Sequence, residues 1–201
     1  MAKVTWNPGA ILAPLPAALV SCGSLDKPNV LTIAWTGSIC SKPPRTYISV
    51  RPERFSHNII KESGEFVINL PPQSLAREVD TCGVKSGRDT DKFSLCKLTA
   101  EPAQKVSAPT IAQCPISIEC KVFDVRELGS HNMFMADIVA VNVDPAYLDK
   151  DGRLMIEKCN LLSYAHGTYF ASGERLGTFG YSVRKKPISK KRPTKKTQKA
   201  K

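Results

Sequence analysis

The 201-residue chain lacks the residue patterns that mark a zinc site, a disulfide framework or a membrane span. Its seven cysteines include no CxxC pair and its three histidines are isolated from one another, so no metal site is predicted. The cysteine count is odd, and a chain of this length needs no cross-links. We therefore predict reduced thiols and a cytoplasmic protein. No apolar run reaches the length of about 18 residues that a membrane helix needs.

Several sequence motifs of common enzyme classes are also missing. No GxGxxG opens a helix, and no GxxxxGK[ST], GxSxG or HExxH occurs. These absences argue against a Rossmann dinucleotide site, a P-loop, an α/β-hydrolase and a zinc protease. The segment 83–87, Gly-Val-Lys-Ser-Gly, is a poor imitation of a phosphate-binding loop.

The net charge of +11 is concentrated at one end of the chain. Residues 184–201 contain ten Lys/Arg and no acidic residue, whereas residues 1–183 contain 19 basic and 18 acidic residues. The terminal segment is also nearly free of apolar residues and cannot build a core. We predict one folded domain over 1–183 and a disordered basic tail over 184–201, able to attract polyanions.

The rest of the chain alternates short apolar runs with turn residues, which indicates many short strands. The predicted strands are residues 17–24, 30–36, 46–50, 65–70, 116–125 and 133–143. The predicted helices are residues 52–63, 74–82 and 89–95. Together they predict a mainly β protein, a mostly antiparallel barrel with helices inserted after the third and fourth strands.

Local signals refine these elements. Pro52 suits the first position of a helix that Gly64 ends, and Ser74 and Asp89 are candidate N-caps. The alternation from Ile116 slips at Phe123, which indicates a bulge. The strand over 133–143 is apolar on both faces and therefore belongs beneath a helix or at a subunit interface.

The segment 49–58, Ser-Val-Arg-Pro-Glu-Arg-Phe-Ser-His-Asn, carries the strongest chemical signal. A strand runs directly into a helix whose first turn offers free backbone N–H groups, two arginines, a serine and a histidine. That combination suits a phosphate monoester. The alternative is a solvated helix whose arginines pair with Glu53 and Glu62.

Several stretches, in order along residues 5–183, resemble the flavin reductase-like family with its FMN-binding split barrel. They are residues 29–38, 48–60, 63–69, 82–93, 128–132, 164–167 and 176–182. Within the family, the last four stretches are most similar to flavoredoxin. The resemblance implies an antiparallel Greek-key split barrel with short inserted helices, FMN as cofactor, and a homodimer. The basic tail is not part of the family pattern.

The resemblance also implies roles for individual residues. The cofactor-binding set it implies is Asn29, Thr32, Trp35, Thr36, Ser49, Val50, Arg51, Arg54, Ser56, His57, Lys92, His131 and Tyr164. Arg51 and Ser56 are the main candidates for binding the phosphate, and Tyr164 would form an aromatic wall near the flavin ring. His131 would lie beside the ring as the candidate catalytic residue. On the residues alone, Trp35 could be core, Lys92 a surface lysine between Asp89 and Asp91, and His131 a solvated hairpin residue.

The function that follows is an FMN-dependent oxidoreductase that takes hydride from NAD(P)H or electrons from a redox protein. One alternative is a nucleic-acid-binding protein that uses the basic tail, although the nearly neutral domain lacks the basic face such proteins carry. The other is a flavin-binding module without turnover.

Overall fold

Strands dominate the fold, as the alternating pattern predicted. The computed structural model describes residues 1–184, so the predicted tail lies outside the described residues apart from Arg184. The strands are β1 Leu15–Pro16, β2 Ala18–Gly23, β3 Pro28–Ile33, β4 Thr36–Ser41, β5 Pro44–Val50, β6 Glu65–Leu70, β7 Ala100–Glu101, β8 Thr110–Ile111, β9 Ile116–Leu128, β10 His131–Val143, β11 Leu162–Ala165 and β12 Thr168–Ala171. The helices are α1 Phe55–Ser63, α2 Ala76–Val84 and α3 Lys92–Leu95, with short 3-10 turns at Gln73–Leu75, Pro145–Tyr147, Ile156–Cys159 and Tyr181–Val183.

Seven strands form one antiparallel sheet in the order β3-β2-β6-β9-β10-β5-β4. Side chains from strands far apart in that order, such as Leu31 on β3 and Ile48 on β5, belong to one buried cluster with Phe66 and Phe134. The sheet is therefore curled around its own core into a barrel, and β3 and β4 remain as its edges.

A second core lies outside the barrel, under α2 and α3. Leu19 and Val30 from the sheet pack there with Val79 of α2 and Phe93 of α3. Alternate residues of β2 thus enter the two cores, which explains why that strand is buried on both faces. This packing holds the ends of α2 and α3 against the edge of the barrel.

The predicted bulge is confirmed. Met135 pairs with Asp124 and the next residue, Ala136, pairs with Val122, so Phe123 is the extra residue on β9. The two long strands meet at the predicted turn of Gly129 and Ser130.

Several predicted boundaries were wrong. Helix α1 begins at Phe55 rather than Pro52, because residues 52–54 form a turn before the helix. The side chain that caps α3 is Asp91, which accepts a hydrogen bond from the Ser94 N–H, and not Asp89. Ser74 lies within a 3-10 turn, and α2 begins two residues later without a side-chain cap.

Six strands were missed, namely β1, β4, β7, β8, β11 and β12, and one face of β10 was assigned too much burial. Strand β4 was absent from the prediction because its residues after Gly37 are polar or exposed, unlike the buried strands. On β10, Phe134 and Ala136 are buried in the barrel, but Met133 and Met135 on the other face are half-buried. The helices α2 and α3 pack on β2 and β3 and do not cover the outer face of β10. Of the two predicted explanations for the apolar residues on that face, a covering helix or a subunit interface, the subunit interface remains a prediction. Among residues 1–184, no helix has the length and hydrophobicity to cross a membrane.

Candidate functional site

Two adjoining clefts lie at the edge of the barrel. The first has a volume of about 350 Å³ and the second of about 380 Å³. Leu31, Thr32, Arg51, Arg54 and Gly83 line both, so the clefts share a wall and form one elongated site. This site lies where β3, the end of β5, the start of α1 and the end of α2 meet.

Trp35 and His131 form one side of the first cleft. Their rings are parallel within 8°, with centroids 6.2 Å apart. Trp35 is 42% exposed and is therefore not a core residue. Its backbone is fixed by the Ser49 N–H, which donates to the Trp35 carbonyl at 2.8 Å. An exposed indole held this rigidly offers a flat apolar surface to a ligand.

His131 is held in an environment that favours the neutral imidazole. Burial lowers its pKa below the ordinary value, and the positive charge of Arg51 lowers it further; Glu53 opposes this and Arg54 adds to it. The His131 Nδ1 lies 2.9 Å from the Ser130 hydroxyl, which orients the ring. At neutral pH the ring therefore has one N–H donor and one acceptor nitrogen.

Two tyrosines from the β11–β12 hairpin also line the first cleft. Tyr164 and Tyr169 are paired across the hairpin with their rings edge to face, 5.5 Å apart. The Tyr169 hydroxyl donates to the Asp80 carboxylate at 3.3 Å. Burial and this carboxylate raise the pKa of Tyr169 to about 12, so it remains a phenol. Tyr164 was predicted, but Tyr169 and Asp80 were missed; the turn at His166 and Gly167 was the signal that places the two tyrosines opposite each other.

The start of α1 lies in the second cleft without a cap of its own. No side chain accepts from its first turn. Among the described residues, the backbone N–H groups of Phe55 and Ser56 donate to no protein acceptor. Unsatisfied N–H groups and the positive end of the helix dipole favour an anion at this position.

Cations surround this helix start. Arg51 and Arg54 line both clefts, and Arg54 Nη1 donates to the Gly83 carbonyl at 3.1 Å. Arg51 also lies 3.6 Å from the Glu53 carboxylate, as the alternative interpretation of this helix expected. Both partners are more than half exposed, and a solvated pair of this kind contributes little.

Lys92 supplies a buried cation to the second cleft. It is only 4% exposed, and its Nζ donates to the Cys82 carbonyl at 3.1 Å. Burial lowers its pKa, although the nearby Cys82 and Cys22 thiols oppose this. No carboxylate within residues 1–184 forms an ion pair with it. Lys92 is therefore not a surface lysine, and an anionic ligand would offset the cost of burying its charge.

Three predicted residues lie behind the clefts rather than in them. Asn29 donates to the Ser56 hydroxyl at 2.7 Å, and Thr36 donates to the Tyr47 carbonyl at 2.6 Å. His57 packs edge to face on Phe134 in the barrel, and the Asn132 amide lies 2.9 Å from its Nε2. The structure therefore does not bring Asn29, Thr36 or His57 into either cleft. It does bring together the other ten predicted residues, Thr32, Trp35, Ser49, Val50, Arg51, Arg54, Ser56, Lys92, His131 and Tyr164.

The segment 83–88 does not match a phosphate-loop motif, but it is part of the site. Lys85, Ser86, Gly87 and Arg88 line the second cleft with Gly83. A Cβ on Gly87 would overlap the Asn29 amide and come within 2.9 Å of the Phe55 ring, so only glycine fits there. Lys85 between the two glycines, and Arg88 directly after the second, were the available signal for a cationic loop at this site. Within the described part of the chain, no cluster of His, Cys, Asp or Glu has the grouping of a metal site.

Comparison with known proteins identifies the family. The model of the flavin reductase like domain matches residues 12–172, and the chain belongs to this family. It is 32% identical to flavoredoxin of Desulfovibrio vulgaris (Miyazaki F). The two superimpose with a TM-score of 0.84 over 91% of this chain and 100% of that one. A flavoredoxin from Methanosarcina acetivorans is 25% identical, with a TM-score of 0.83 and 92% and 100% coverage. An uncharacterized protein of Archaeoglobus fulgidus is 34% identical over 142 residues, 71% of this chain and 78% of that protein.

These similarities settle the fold. The predicted mainly β split barrel with inserted short helices is confirmed, because the whole of each solved flavoredoxin chain superimposes on the described barrel. The predicted membership of the flavin reductase-like family is confirmed as well.

Proposed function

We propose that this protein is an FMN-dependent oxidoreductase of the flavin reductase and flavoredoxin kind. One observation carries the proposal: a single elongated site joins an aromatic cleft at Trp35 and His131 to a cationic cleft at the start of α1. FMN has the same two parts, a flat ring system and a phosphate monoester, joined by a ribityl chain. The family to which the chain belongs supports the same cofactor class.

The phosphate end of FMN fits the second cleft. The free N–H groups of Phe55 and Ser56, the guanidinium groups of Arg51 and Arg54, and Lys92 would hold it. These cations and free N–H groups together suit a doubly charged phosphate. Lys92 is the most informative of them, because it is buried with only a backbone carbonyl as partner.

The ring end fits the first cleft. Trp35 and Tyr164 would form its apolar walls, and the neutral His131 would provide a hydrogen bond at its edge. Bound FMN would supply hydride and electron transfer, and the residues that line the first cleft would orient its ring. Trp35 remains partly exposed at the rim, so a second molecule can reach the cleft. We propose NAD(P)H, or a redox protein, as that electron donor.

The surface supports a homodimer as part of this proposal. The outer face of β10 carries Met133 and Met135, which are both half-buried. The N-terminal segment adds exposed Trp6 and Leu12. Exposed apolar side chains favour an interaction site, and we propose a second copy of the chain as its partner. With its seven free thiols, the protein is also proposed to work in the cytoplasm.

The experiment that tests the function uses colour. The full chain is purified, its flavin is released by denaturation and identified, and the holoprotein is then mixed with NADH or NADPH without air. We expect bound FMN and bleaching of its visible absorbance. FMN bound without bleaching by either nucleotide, or by a reduced redox protein, would indicate a flavin-binding module without turnover. A protein that neither retains nor takes up FMN would contradict the proposal.

A further inference from the structure

Two thiols next to the second cleft have no role in the proposed chemistry. Cys82 lies near the end of α2 and Cys96 directly follows α3, and their Sγ atoms are 3.8 Å apart. A disulfide requires a separation of about 2.05 Å, so a movement of less than about 2 Å would join them. Both helices are short and end in turns at this point, so the movement does not require the barrel to change.

We propose that Cys82 and Cys96 are a modification site: they form a reversible disulfide that controls how tightly the second cleft binds its ligand. The formation of the disulfide depends only on the two thiols. Its effect on FMN rests on the function proposed above.

The two thiols differ in access, which sets the order of the steps. Cys82 is 1% exposed, and burial and the neighbouring Cys96 raise its pKa to about 12; Cys96 is partly exposed. Cys96 therefore reacts first with a small disulfide such as oxidised glutathione. Its thiolate attacks one sulfur and expels a glutathione thiolate, and this leaves a mixed disulfide at Cys96.

Cys82 then completes the reaction. As it loses its proton, its sulfur attacks the Cys96 Sγ and expels the second glutathione thiolate. Two protein thiols become one disulfide, one oxidised glutathione becomes two reduced molecules, and the two protein protons end on the glutathione sulfurs. A reducing thiol reverses both steps.

The backbone at Cys82 connects this disulfide to the cleft. The Cys82 carbonyl accepts from Lys92 Nζ at 3.1 Å, and the next carbonyl, Gly83, accepts from Arg54 at 3.1 Å. Lys92 also begins the short helix that precedes Cys96. Drawing the two sulfurs together therefore shifts the anchors of two cations that line the cleft. Hydrogen bonds to a phosphate depend strongly on geometry, so we expect oxidation to weaken FMN binding about threefold or more.

The test begins with the thiols of the full-length protein. The reduced protein is incubated with oxidised glutathione, quenched with N-ethylmaleimide under denaturing conditions, and digested with trypsin. We expect peptide 78–85 joined to peptide 93–97, with the link lost on addition of dithiothreitol. Cys82→Ser and Cys96→Ser should abolish it. Cys114→Ser is the matched control and should retain it, because Cys114 is also buried with a pKa raised to about 12 but has no thiol partner.

The proposed site would be overturned if both thiols were recovered as maleimide adducts. It would also be overturned if a mixed disulfide formed at Cys96 but was not converted to the Cys82–Cys96 disulfide. The second measurement is FMN affinity of oxidised and reduced wild type by fluorescence titration, with Cys96→Ser as the variant that should not respond to oxidant. Equal affinities in the two states would overturn the proposed control of the cleft. If neither state binds FMN, the proposed function fails, whereas the peptide result still decides whether the disulfide forms.

Discussion

The Trp35 indole and the His131 imidazole lie parallel, although one follows β3 and the other begins β10. Strand pairing is what brings them together. The Ser49 N–H bonds to the Trp35 carbonyl, and Ser49 itself pairs with Met133, two residues from His131. A flat wall at the rim of the first cleft is therefore built into the register of β4, β5 and β10.

We expect His131→Ala to slow flavin reduction more than it weakens FMN binding, because His131 lines the first cleft, where we propose that the ring binds, and not the second. The lowered pKa keeps the imidazole neutral near pH 7, so its contribution should be constant above its ordinary pKa of about 6.5 and change only below it. Stopped-flow reduction by NAD(P)H, with both proteins fully loaded with FMN, measures this. Equal rates would return His131 to a merely solvated residue of the hairpin.

We expect Arg51→Ala to raise the dissociation constant for FMN about tenfold or more. A hydrogen bond to a charged group contributes about 1.5–3 kcal/mol, and each 1.4 kcal/mol is tenfold in affinity. Arg175→Ala is the matched control, because Arg175 is similarly exposed and pairs with Glu157 away from both clefts. Fluorescence titration of both variants with FMN measures this. An unchanged affinity in Arg51→Ala would contradict the proposed contact between Arg51 and the phosphate.

Ser56→Ala provides a second measurement of the same subsite. The Ser56 hydroxyl already accepts from Asn29 at 2.7 Å and can in turn donate to a phosphate. We expect weaker FMN retention here too, but by less than in Arg51→Ala, because a neutral donor is lost rather than a charged one.

We expect Lys92→Met to weaken FMN binding while leaving the apoprotein as stable as wild type or more stable. The lysine carries a desolvated charge without a carboxylate partner, so replacing it by an apolar side chain of similar length removes an unfavourable term from the empty protein. Thermal unfolding with and without excess FMN measures both effects. Wild type should gain more in Tm on addition of FMN than the variant. A large loss of Tm in the apo variant would assign Lys92 a structural role instead.

The sequence predicted the barrel and most of the site, but not the contacts between distant residues. Alternation identified the long hairpin and even its bulge at Phe123, because a period of two is encoded locally. The pairing of Tyr169 with Asp80, by contrast, joins positions with no shared local pattern. For His57, residue type and position suggest a phosphate ligand, but the structure places it outside both clefts, with Asn58 and Asn132 as polar partners.

Stability should also depend on pH through Glu119, which is fully buried on β9. Burial alone would raise its pKa, but hydrogen bonds from the Gln104 N–H, the Asn142 amide and the Lys105 N–H hold the pKa below its ordinary value. A carboxyl with a depressed pKa in the folded state stabilises the fold above its unfolded pKa of about 4.3. That stabilisation is lost as the pH falls through the folded value.

We therefore expect Glu119→Gln to lower the free energy of unfolding by about 2 kcal/mol at pH 7, because an amide cannot accept all three hydrogen bonds as a carboxylate does. The difference from wild type should shrink below about pH 4. Urea unfolding at both pH values measures it, with the partly exposed Glu65, which pairs with Lys121, as the control position for the same substitution. A difference that does not change with pH would assign the loss to packing rather than to charge.

The final prediction concerns the segment 184–201, whose ten basic and no acidic residues contain most of the net charge of +11. Deletion of this segment should leave FMN binding, dimer formation and turnover nearly intact, because the residues that line both clefts lie between 17 and 169. Charges of one sign attract polyanions with an affinity that falls steeply with salt. The full chain should therefore be retained on heparin at low salt and the truncated chain should not, while both remain yellow. A truncated protein that loses FMN or becomes monomeric would show that the segment belongs to the folded domain, and the proposed boundary at 183 would then be wrong.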